Sequence, residues 1–234
     1  MRVNFTNFTK EFKTLKKELN QKFNKISFEG QYVLGKELKT FEENVKRYLK
    51  VKHVIGVGNW TEGAVMVLKA LGYKQNDEVI TVSNSFVATA GAIAYAGIKP
   101  RLVDVGEDLN IDCKKIEKTI NKKTKAIMPV HLTGRVSEMN EINRIAAKYN
   151  LPVVEDAAQS IGSKYHNKPT GSLGKVGCFS AHPLKNLNAI GDGGYLTTND
   201  KKIFKKVIEL RNHGMIDRNK IKNFGHVSRL DNLQ

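Results

Sequence analysis

The chain of 234 residues has little cysteine and no long apolar run. Cys113 and Cys178 are its two cysteines, too few for a disulfide framework, and their spacing is not that of metal ligands. The most apolar stretch, residues 88–98, is shorter than the roughly 20 residues that a bilayer-spanning helix needs. The sequence therefore predicts neither a disulfide-stapled module, nor a metal site, nor a membrane protein.

The N-terminus also lacks the pattern of a secretory signal. Its residues, MRVNFTNFTKEFKTLKKEL, alternate apolar and charged types without a continuous apolar core and a small-residue cleavage site. We therefore expect a cytoplasmic protein. Hydrophobic residues make up 40% of the chain and charged residues 26%, which is enough to bury one sizeable core.

Negative charge is scarce: the net charge is +16 and the isoelectric point is about 9.7. Such a field attracts anions, nucleic acids among them. The excess is mostly lysine scattered over predicted helical faces, without the basic stripe and aromatics typical of a nucleic-acid surface. We predict no nucleic-acid partner, and a solvated surface that favours small anionic molecules.

Short runs rich in β-branched residues alternate with segments of helical apolar spacing. Seven runs have the character of buried strands, namely residues 53–58, 78–82, 101–105, 126–131, 152–157, 177–181 and 194–198. This alternation predicts a mainly parallel, doubly wound α/β sheet. Ligands of such sheets bind beyond the carboxyl ends of the strands.

The two ends of the chain differ from this pattern. Residues 9–24 and 36–49 predict two amphipathic helices, which we expect to form an N-terminal arm (1–50) ahead of a large domain (51–234). The last residues, HVSRLDNLQ, have the pattern of a helix that has just begun, with no cap or breaker to stop it. We therefore expect a chain that is cut short.

The turn after the first strand could bind a phosphate. Gly56, Gly58 and Asn59 allow a tight turn, and we expect Thr61 to cap a helix that starts at Glu62. Backbone N–H groups at a helix N-terminus hold anions well. An ordinary cap explains the same residues, so both interpretations remain open.

Two later strand ends carry further polar residues. Glu155 and Asp156 must point to opposite faces of the fifth strand, so that one of them faces the crevice, unless the Asp only caps a helix. Ser180, His182 and Lys185 follow the sixth strand, and a lysine in a crevice can form a Schiff base. A lysine, an acid and a phosphate grip together are what pyridoxal phosphate needs.

These motifs resemble those of the DegT/DnrJ/StrS family of pyridoxal-phosphate-dependent sugar aminotransferases, from about residue 28 to the end of the chain. The similar blocks, in family order, are FEGQYVLGKELKTFEENVKRYL, GVGNWTEGAVMVLKALG, DEVITVSNSFVATAGAI, VDVGEDLNID, AIMPVHLTG, PVVEDAAQSIG, GCFSAHPLKNLNAIGDGG and LRNHG. The resemblance implies the fold-type I large domain, a three-layer sandwich with a seven-stranded sheet, in a homodimer.

The resemblance also implies an activity. Lys185 would be the Schiff-base lysine and would move the proton during transfer, while Asp156 would pair with the pyridine nitrogen of the cofactor. L-Glutamate would donate an amino group to a keto sugar nucleotide (an NDP-keto-deoxyhexose) in polysaccharide or glycan biosynthesis, for example of lipopolysaccharide.

The remaining cofactor contacts are carried over in the same way. Thr61, the backbone of Glu62 and Ser180 would hold the phosphate. Gln159 would hydrogen-bond the ring hydroxyl, and Phe86 would stack on the ring face.

The chain departs from the family at three points. Trp60 stands where the phosphate turn usually has Gly, and Val227 stands where an Asn often reaches the partner subunit's cofactor phosphate. The small C-terminal domain of the family is also expected to be absent. Two alternatives therefore stay open: a sugar dehydratase, whose relatives carry His in place of the lysine, and a truncated, inactive partner subunit.

Overall fold

The computed structural model describes residues 6–234, which form an α/β fold. Seven α-helices are present in this part: α1 (Phe8–Glu29), α2 (Lys36–Leu49), α3 (Trp60–Ala70), α4 (Val87–Tyr95), α5 (Cys113–Thr119), α6 (Met139–Lys148) and α7 (Lys201–Leu210). A 3-10 turn spans Leu132–Gly134. No helix within residues 6–234 is both long and apolar enough to cross a membrane.

The strands of the same part include all seven that the sequence predicts. They are β1 (His53–Val57), β2 (Glu78–Val82), β3 (Lys99–Val103), β4 (Thr124–Met128), β5 (Val154–Asp156), β6 (Lys164–Tyr165), β7 (Lys168–Pro169), β8 (Val176–Ser180), β9 (Gly194–Thr198), β10 (Met215–Asp217) and β11 (Lys220–Ile221). The two short hairpins, β6/β7 and β10/β11, were not predicted, because two- and three-residue strands carry no periodic signal.

Seven strands form the central sheet in the order β3-β2-β4-β5-β8-β9-β1. Two hydrogen-bonded ladders, β3-β2-β4 and β5-β8-β9-β1, are joined by parallel bridges from Ile127 to Val153 and from Val130 to Asp156. Strand β9 runs antiparallel to both of its neighbours, β8 and β1. The mainly parallel sheet that the sequence predicts is confirmed.

Helices cover both faces of this sheet. Buried side chains of α3, α4 and α7 form the largest apolar cluster with strands such as β1 and β8. Residues of α5 and α6 form a second cluster with β2 and β4, and α2 contributes to a third. The molecule is thus a three-layer sandwich, whose parallel strands all end at one edge.

The N-terminal helices have different amounts of packing. Helix α1 is longer than predicted and ends where Gly30 adopts the left-handed conformation (φ 66°) and donates its N–H to the Ile26 carbonyl. Helix α2 packs Val45 and Leu49 against residues that include Phe179 of β8. The boundary between an arm (1–50) and a large domain (51–234) stays a prediction.

The last residues do not begin a helix, so that expectation is wrong. Asn232 accepts a hydrogen bond from the Gly35 N–H (3.1 Å) and donates its side-chain amide to the Gln31 carbonyl (2.6 Å). Asp231 forms a β-bridge with Val33. The conformation of this segment is set by partners about 200 residues away in the chain, which a local pattern cannot report.

Candidate active site

One cavity of about 820 Å³ lies at the carboxyl ends of the parallel strands. The end of β1, the β2–α4 loop, the end of β4, the end of β5 and the loop after β8 all contribute to its wall. Every residue predicted for the site lines this cavity: Thr61, Glu62, Phe86, Asp156, Gln159, Ser180 and Lys185. The fold therefore brings together side chains that are up to 124 positions apart, from Thr61 to Lys185.

The turn after β1 presents the N-terminus of α3 to the cavity. Asn59 caps the helix, since its side-chain oxygen accepts a hydrogen bond from the Glu62 N–H at 2.8 Å. The prediction of Thr61 as the cap is wrong, because the helix begins at Trp60 and Thr61 already lies in its first turn. Thr61 and Glu62 are half-buried beside the cavity, where the helix dipole favours an anion.

Trp60 does not make this turn bulky. Its indole N–H donates to the Cys178 carbonyl on β8 at 3.1 Å, and its side chain is buried. A Cβ at Gly194 would lie 2.8 Å from the Asn59 carbonyl carbon and 2.9 Å from the Trp60 nitrogen. Glycine at position 194 therefore lets β9 pass directly against the turn.

The turn is also held from the C-terminal segment. The Ser228 hydroxyl accepts a hydrogen bond from the Gly58 N–H at 3.1 Å, and the Ser228 N–H donates to the Arg211 carbonyl at 3.0 Å. Val227, where the family resemblance leads us to expect an asparagine, is 55% exposed. The segment thus supports the turn through Ser228 and leaves the Val227 side chain free of the core.

Asp156 ends β5 and is 4% exposed at the base of the cavity. One carboxylate oxygen accepts a hydrogen bond from the Thr89 hydroxyl (2.7 Å) and the other from the Ala158 N–H (3.2 Å). Burial raises the pKa of Asp156 to about 6, although these hydrogen bonds and the charge of Lys185 oppose the rise. No helix follows within residues 157–163, so Asp156 is not a helix cap.

Glu155 points to the opposite face of β5, as the alternation of a strand predicts. Its carboxylate accepts hydrogen bonds from the N–H groups of Gly171 (2.7 Å), Leu173 (2.8 Å) and Gly174 (2.6 Å). His131, buried beside it, lies at 3.1 Å through Nε2. Because Nδ1 of His131 accepts from the Ser137 N–H, the ring proton is on Nε2 and is donated to Glu155.

Lys185 lies in the loop between β8 and β9. The Lys185 N–H donates to the His182 carbonyl at 2.8 Å, and the His182 ring accepts from the Leu184 N–H at 3.2 Å. The Ser180 hydroxyl in turn accepts from the His182 N–H at 3.2 Å. His182 therefore shapes the turn that presents the half-buried Lys185 side chain to the cavity.

Phe86 and Gln159 lie at other points of the wall. Phe86 precedes α4 and is 75% exposed, so its ring has an open face beside the cavity. Gln159 is half-buried, three residues past the end of β5. Sequence reasoning missed other lining residues: Asn59 as the cap, Ser85, Thr89, Tyr95, His131 and Leu132. Thr89 belongs to the block SNSFVAT, but nothing local signals a partner 67 residues away.

Comparisons with known proteins agree with this geometry. The model of the DegT/DnrJ/EryC1/StrS aminotransferase family matches residues 13–234. The chain is 43% identical over 93% of its length to dTDP-3-amino-3,6-dideoxy-alpha-D-galactopyranose transaminase of Aneurinibacillus thermoaerophilus. It is 36% identical over 99% of its length to UDP-2-acetamido-2-deoxy-3-oxo-D-glucuronate aminotransferase of Pseudomonas aeruginosa. It is also 40% identical over its whole length to a "Pleiotropic regulatory protein" of Geobacillus stearothermophilus.

Solved structures agree with the fold. DesV of S. venezuelae, solved in complex with a ketimine intermediate, superposes with a TM-score of 0.96 at 34% identity, covering 100% of this chain and 63% of that one. A second relative, from Bacillus subtilis and solved with bound cofactor PMP, gives 0.88 at 36% identity, covering 93% and 50%. The chain spans 60–65% of the length of the curated relatives named above. By its sequence and its fold, the chain belongs to the DegT/DnrJ/EryC1/StrS aminotransferase family.

Proposed function

We propose that this protein is a pyridoxal-phosphate-dependent aminotransferase that acts on a keto sugar nucleotide. The observation that carries the proposal is the convergence of Lys185, Asp156 and the first turn of α3 on one cavity. These groups offer a primary amine, a buried carboxylate and a helix N-terminus, and pyridoxal phosphate requires all three. The proposed substrate class follows the names of the two transaminases above.

The buried carboxylate of Asp156 is the group that best tests whether the cofactor fits this cavity. Asp156 is 4% exposed, and burial raises its pKa to about 6, so that its charge is costly near neutral pH. A cationic pyridine nitrogen placed against it would offset this cost. Thr61, the Glu62 backbone and Ser180 would hold the phosphate, Phe86 the ring face and Gln159 the ring hydroxyl.

When bound, the cofactor would supply an aldehyde for the amine of Lys185 and a ring that withdraws electrons from the substrate. The Nζ of Lys185, once free, would take the proton from the substrate carbon and return it to the cofactor carbon. Asp156 would keep the ring nitrogen protonated, and Phe86 would exclude water from one ring face.

We further propose L-glutamate as the amino donor, a homodimer as the assembly and the cytoplasm as the location. The donor and the dimer follow the family resemblance. A sugar dehydratase would have His in place of Lys185, and the lysine disfavours it. An inactive partner subunit is the second candidate, since one relative at 40% identity is named a regulatory protein.

An absorbance spectrum with pyridoxal phosphate, before and after L-glutamate, tests the proposal. We expect a visible band that bleaches on addition of the donor. A band that does not change on addition of glutamate would argue against this donor, and no band at all would favour the inactive-partner candidate.

Borohydride trapping of the cofactor tests the lysine. The variant K185A should lose covalent trapping completely and keep its fold, because a half-buried loop residue carries little core packing. The matched control is K175A, which removes a surface lysine paired with Asp200 at 2.8 Å. Trapping that persists in K185A would contradict the assignment, and mass spectrometry of the trapped peptide would then identify the reacting residue.

A further inference from the structure

Two hydroxyl groups form a hydrogen-bonded chain from the wall of the cavity to Asp156. The Ser85 oxygen lies 2.6 Å from the Thr89 oxygen, and Thr89 Oγ1 lies 2.7 Å from Asp156 Oδ2. Both residues line the cavity, where Thr89 is 2% exposed and Ser85 is half-buried. The proposed cofactor contacts include neither residue.

The donor and acceptor roles along these two hydrogen bonds follow from the number of hydrogens that each group carries. An ionised carboxylate can only accept hydrogen bonds, and a threonine hydroxyl has one hydrogen to give. Thr89 therefore donates to Asp156 and must accept from Ser85. Charge-assisted hydrogen bonds of this kind are about twice as strong as neutral ones, so the chain favours the ionised acid.

The second carboxylate oxygen is held independently. Asp156 Oδ1 accepts from the Ala158 N–H at 3.2 Å. With one donor on each oxygen, the carboxylate cannot rotate about its Cβ–Cγ bond without losing both hydrogen bonds. Its remaining acceptor positions therefore keep one orientation.

Helix α4 contributes to the same effect. Thr89 lies in its first turn, where the Thr89 N–H donates to the Phe86 carbonyl at 3.1 Å. The carboxylate that Thr89 holds is thus one hydrogen bond from the positive end of the helix dipole.

We infer that Thr89, supported by Ser85, is a positioning residue that fixes the Asp156 carboxylate in its ionised form and in one orientation toward the cavity. The inference rests on the proposed function, because that function makes Asp156 the partner of a cationic ring nitrogen. Thr89 acts through the carboxylate and needs no contact with the cofactor.

Other groups around Asp156 come from three further elements. Lys185 lies in the loop after β8 and lowers the pKa of Asp156, and His131, which follows β4, also lines the cavity. Cys178 faces it from β8, and Glu155 adjoins it on β5. None of these is altered by a change at Thr89, so the contribution of Thr89 can be measured separately.

The first experiment follows the titration of Asp156 by NMR in the cofactor-free chain with 13C-labelled aspartate side chains, using D156N to assign the signal. In T89V the midpoint should rise by about one pH unit, because an isosteric side chain without a donor leaves one oxygen unsupported. T89S keeps the hydroxyl and should restore the midpoint. S85A should give a smaller rise. Because Ser85 is half-buried, this variant tests the same pair of hydrogen bonds in case T89V does not fold.

The matched control is T81V, which removes an equally buried hydroxyl that donates to the Met128 carbonyl at 2.8 Å. T81V should leave the Asp156 midpoint unchanged although it removes a buried hydrogen bond. An unchanged midpoint in T89V and S85A, or an equal rise in T81V, would overturn the inference.

The second experiment measures the affinity for pyridoxal phosphate as a function of pH. A midpoint that moves from about 6 to about 7 lowers the ionised fraction at pH 6.5 by about threefold. We therefore expect T89V to bind the cofactor about threefold more weakly at pH 6.5 and nearly normally at pH 8. No binding by the unaltered chain would contradict the proposed function, whereas a pH-independent loss in T89V would overturn the inference alone.

Discussion

Glu155 and Asp156 are adjacent acids on strand β5, and their surroundings are opposite. Four donors surround Glu155, which is 0% exposed: three backbone N–H groups and the ring of His131. Two donors, Thr89 and Ala158, reach Asp156 from the described part of the chain. Because a carboxylate has about four acceptor positions, Glu155 is saturated and Asp156 is not.

This difference separates a structural acid from one that can bind a ligand. Glu155 fixes the loop of residues 171–174 through hydrogen bonds that need nothing from outside the protein. Asp156 has spare acceptor capacity that faces a cavity, together with a raised pKa. Burial alone therefore does not distinguish the two acids, whereas unused acceptor positions beside a cavity single out Asp156 as the candidate for ligand binding.

Removal of the saturated acid should have the largest effect. E155A leaves three N–H groups, one of them fully buried, and the buried His131 without their acceptor, so we expect a loss of about 3–5 kcal/mol in the free energy of unfolding. Urea denaturation of E155A, with E155Q as a milder variant, measures this loss. E141A is the matched control, since the solvent-exposed Glu141–Arg144 pair should contribute little to stability. Equal losses in E155A and E141A would contradict the structural role of Glu155.

Neutralisation of the unsaturated acid should instead stabilise the cofactor-free chain. The folded pKa of Asp156, about 6, lies above the ordinary value of 3.8, so the folded state loses stability as pH rises between these values. D156N should therefore be more stable than the unaltered chain by up to about 3 kcal/mol above pH 7, a gain that vanishes below about pH 4.

Thermal unfolding of D156N across pH 4–8 measures this gain in stability. Activity assays of the same variant measure what the change costs in function. D156N should still hold the cofactor through Lys185, although more weakly than the unaltered chain, and should lose most turnover. A gain that does not depend on pH would mean that Asp156 is not the group whose charge is costly.

The smallest effect should follow a change at His131, which adjoins both acids. H131Q keeps a donor for Glu155 but disturbs the acceptor of the Ser137 N–H, so we expect a loss of about 1–2 kcal/mol. A loss as large as that of E155A would place the anchoring role in His131 rather than in Glu155.

The sequence predicted the parts of the site that depend on local pattern. Runs of β-branched residues located seven strands, and alternation along β5 placed Glu155 and Asp156 on opposite faces. The cap of α3 was assigned two residues too late, because Asn59 and Thr61 are both good caps and only the backbone decides between them.

Features that depend on distant partners were not predictable. The hydrogen bond from Thr89 to Asp156 joins residues 67 apart, and the contact of Ser228 with Gly58 joins residues 170 apart. The antiparallel direction of β9 was also missed, since a strand pattern carries no information on direction.

The direction of β9 has a consequence for the evolution of this site. Because β9 returns antiparallel to β8, the loop of residues 181–193 leaves and re-enters the sheet at the same edge, where Ser180 pairs with Gly194 and the Ala181 N–H donates to the Gly193 carbonyl. The loop that carries Lys185 is therefore a hairpin tip closed at its base. The length of this loop and the residue at position 185 can change without altering the order of the strands, so that one scaffold can acquire new chemistry by substitution in the loop.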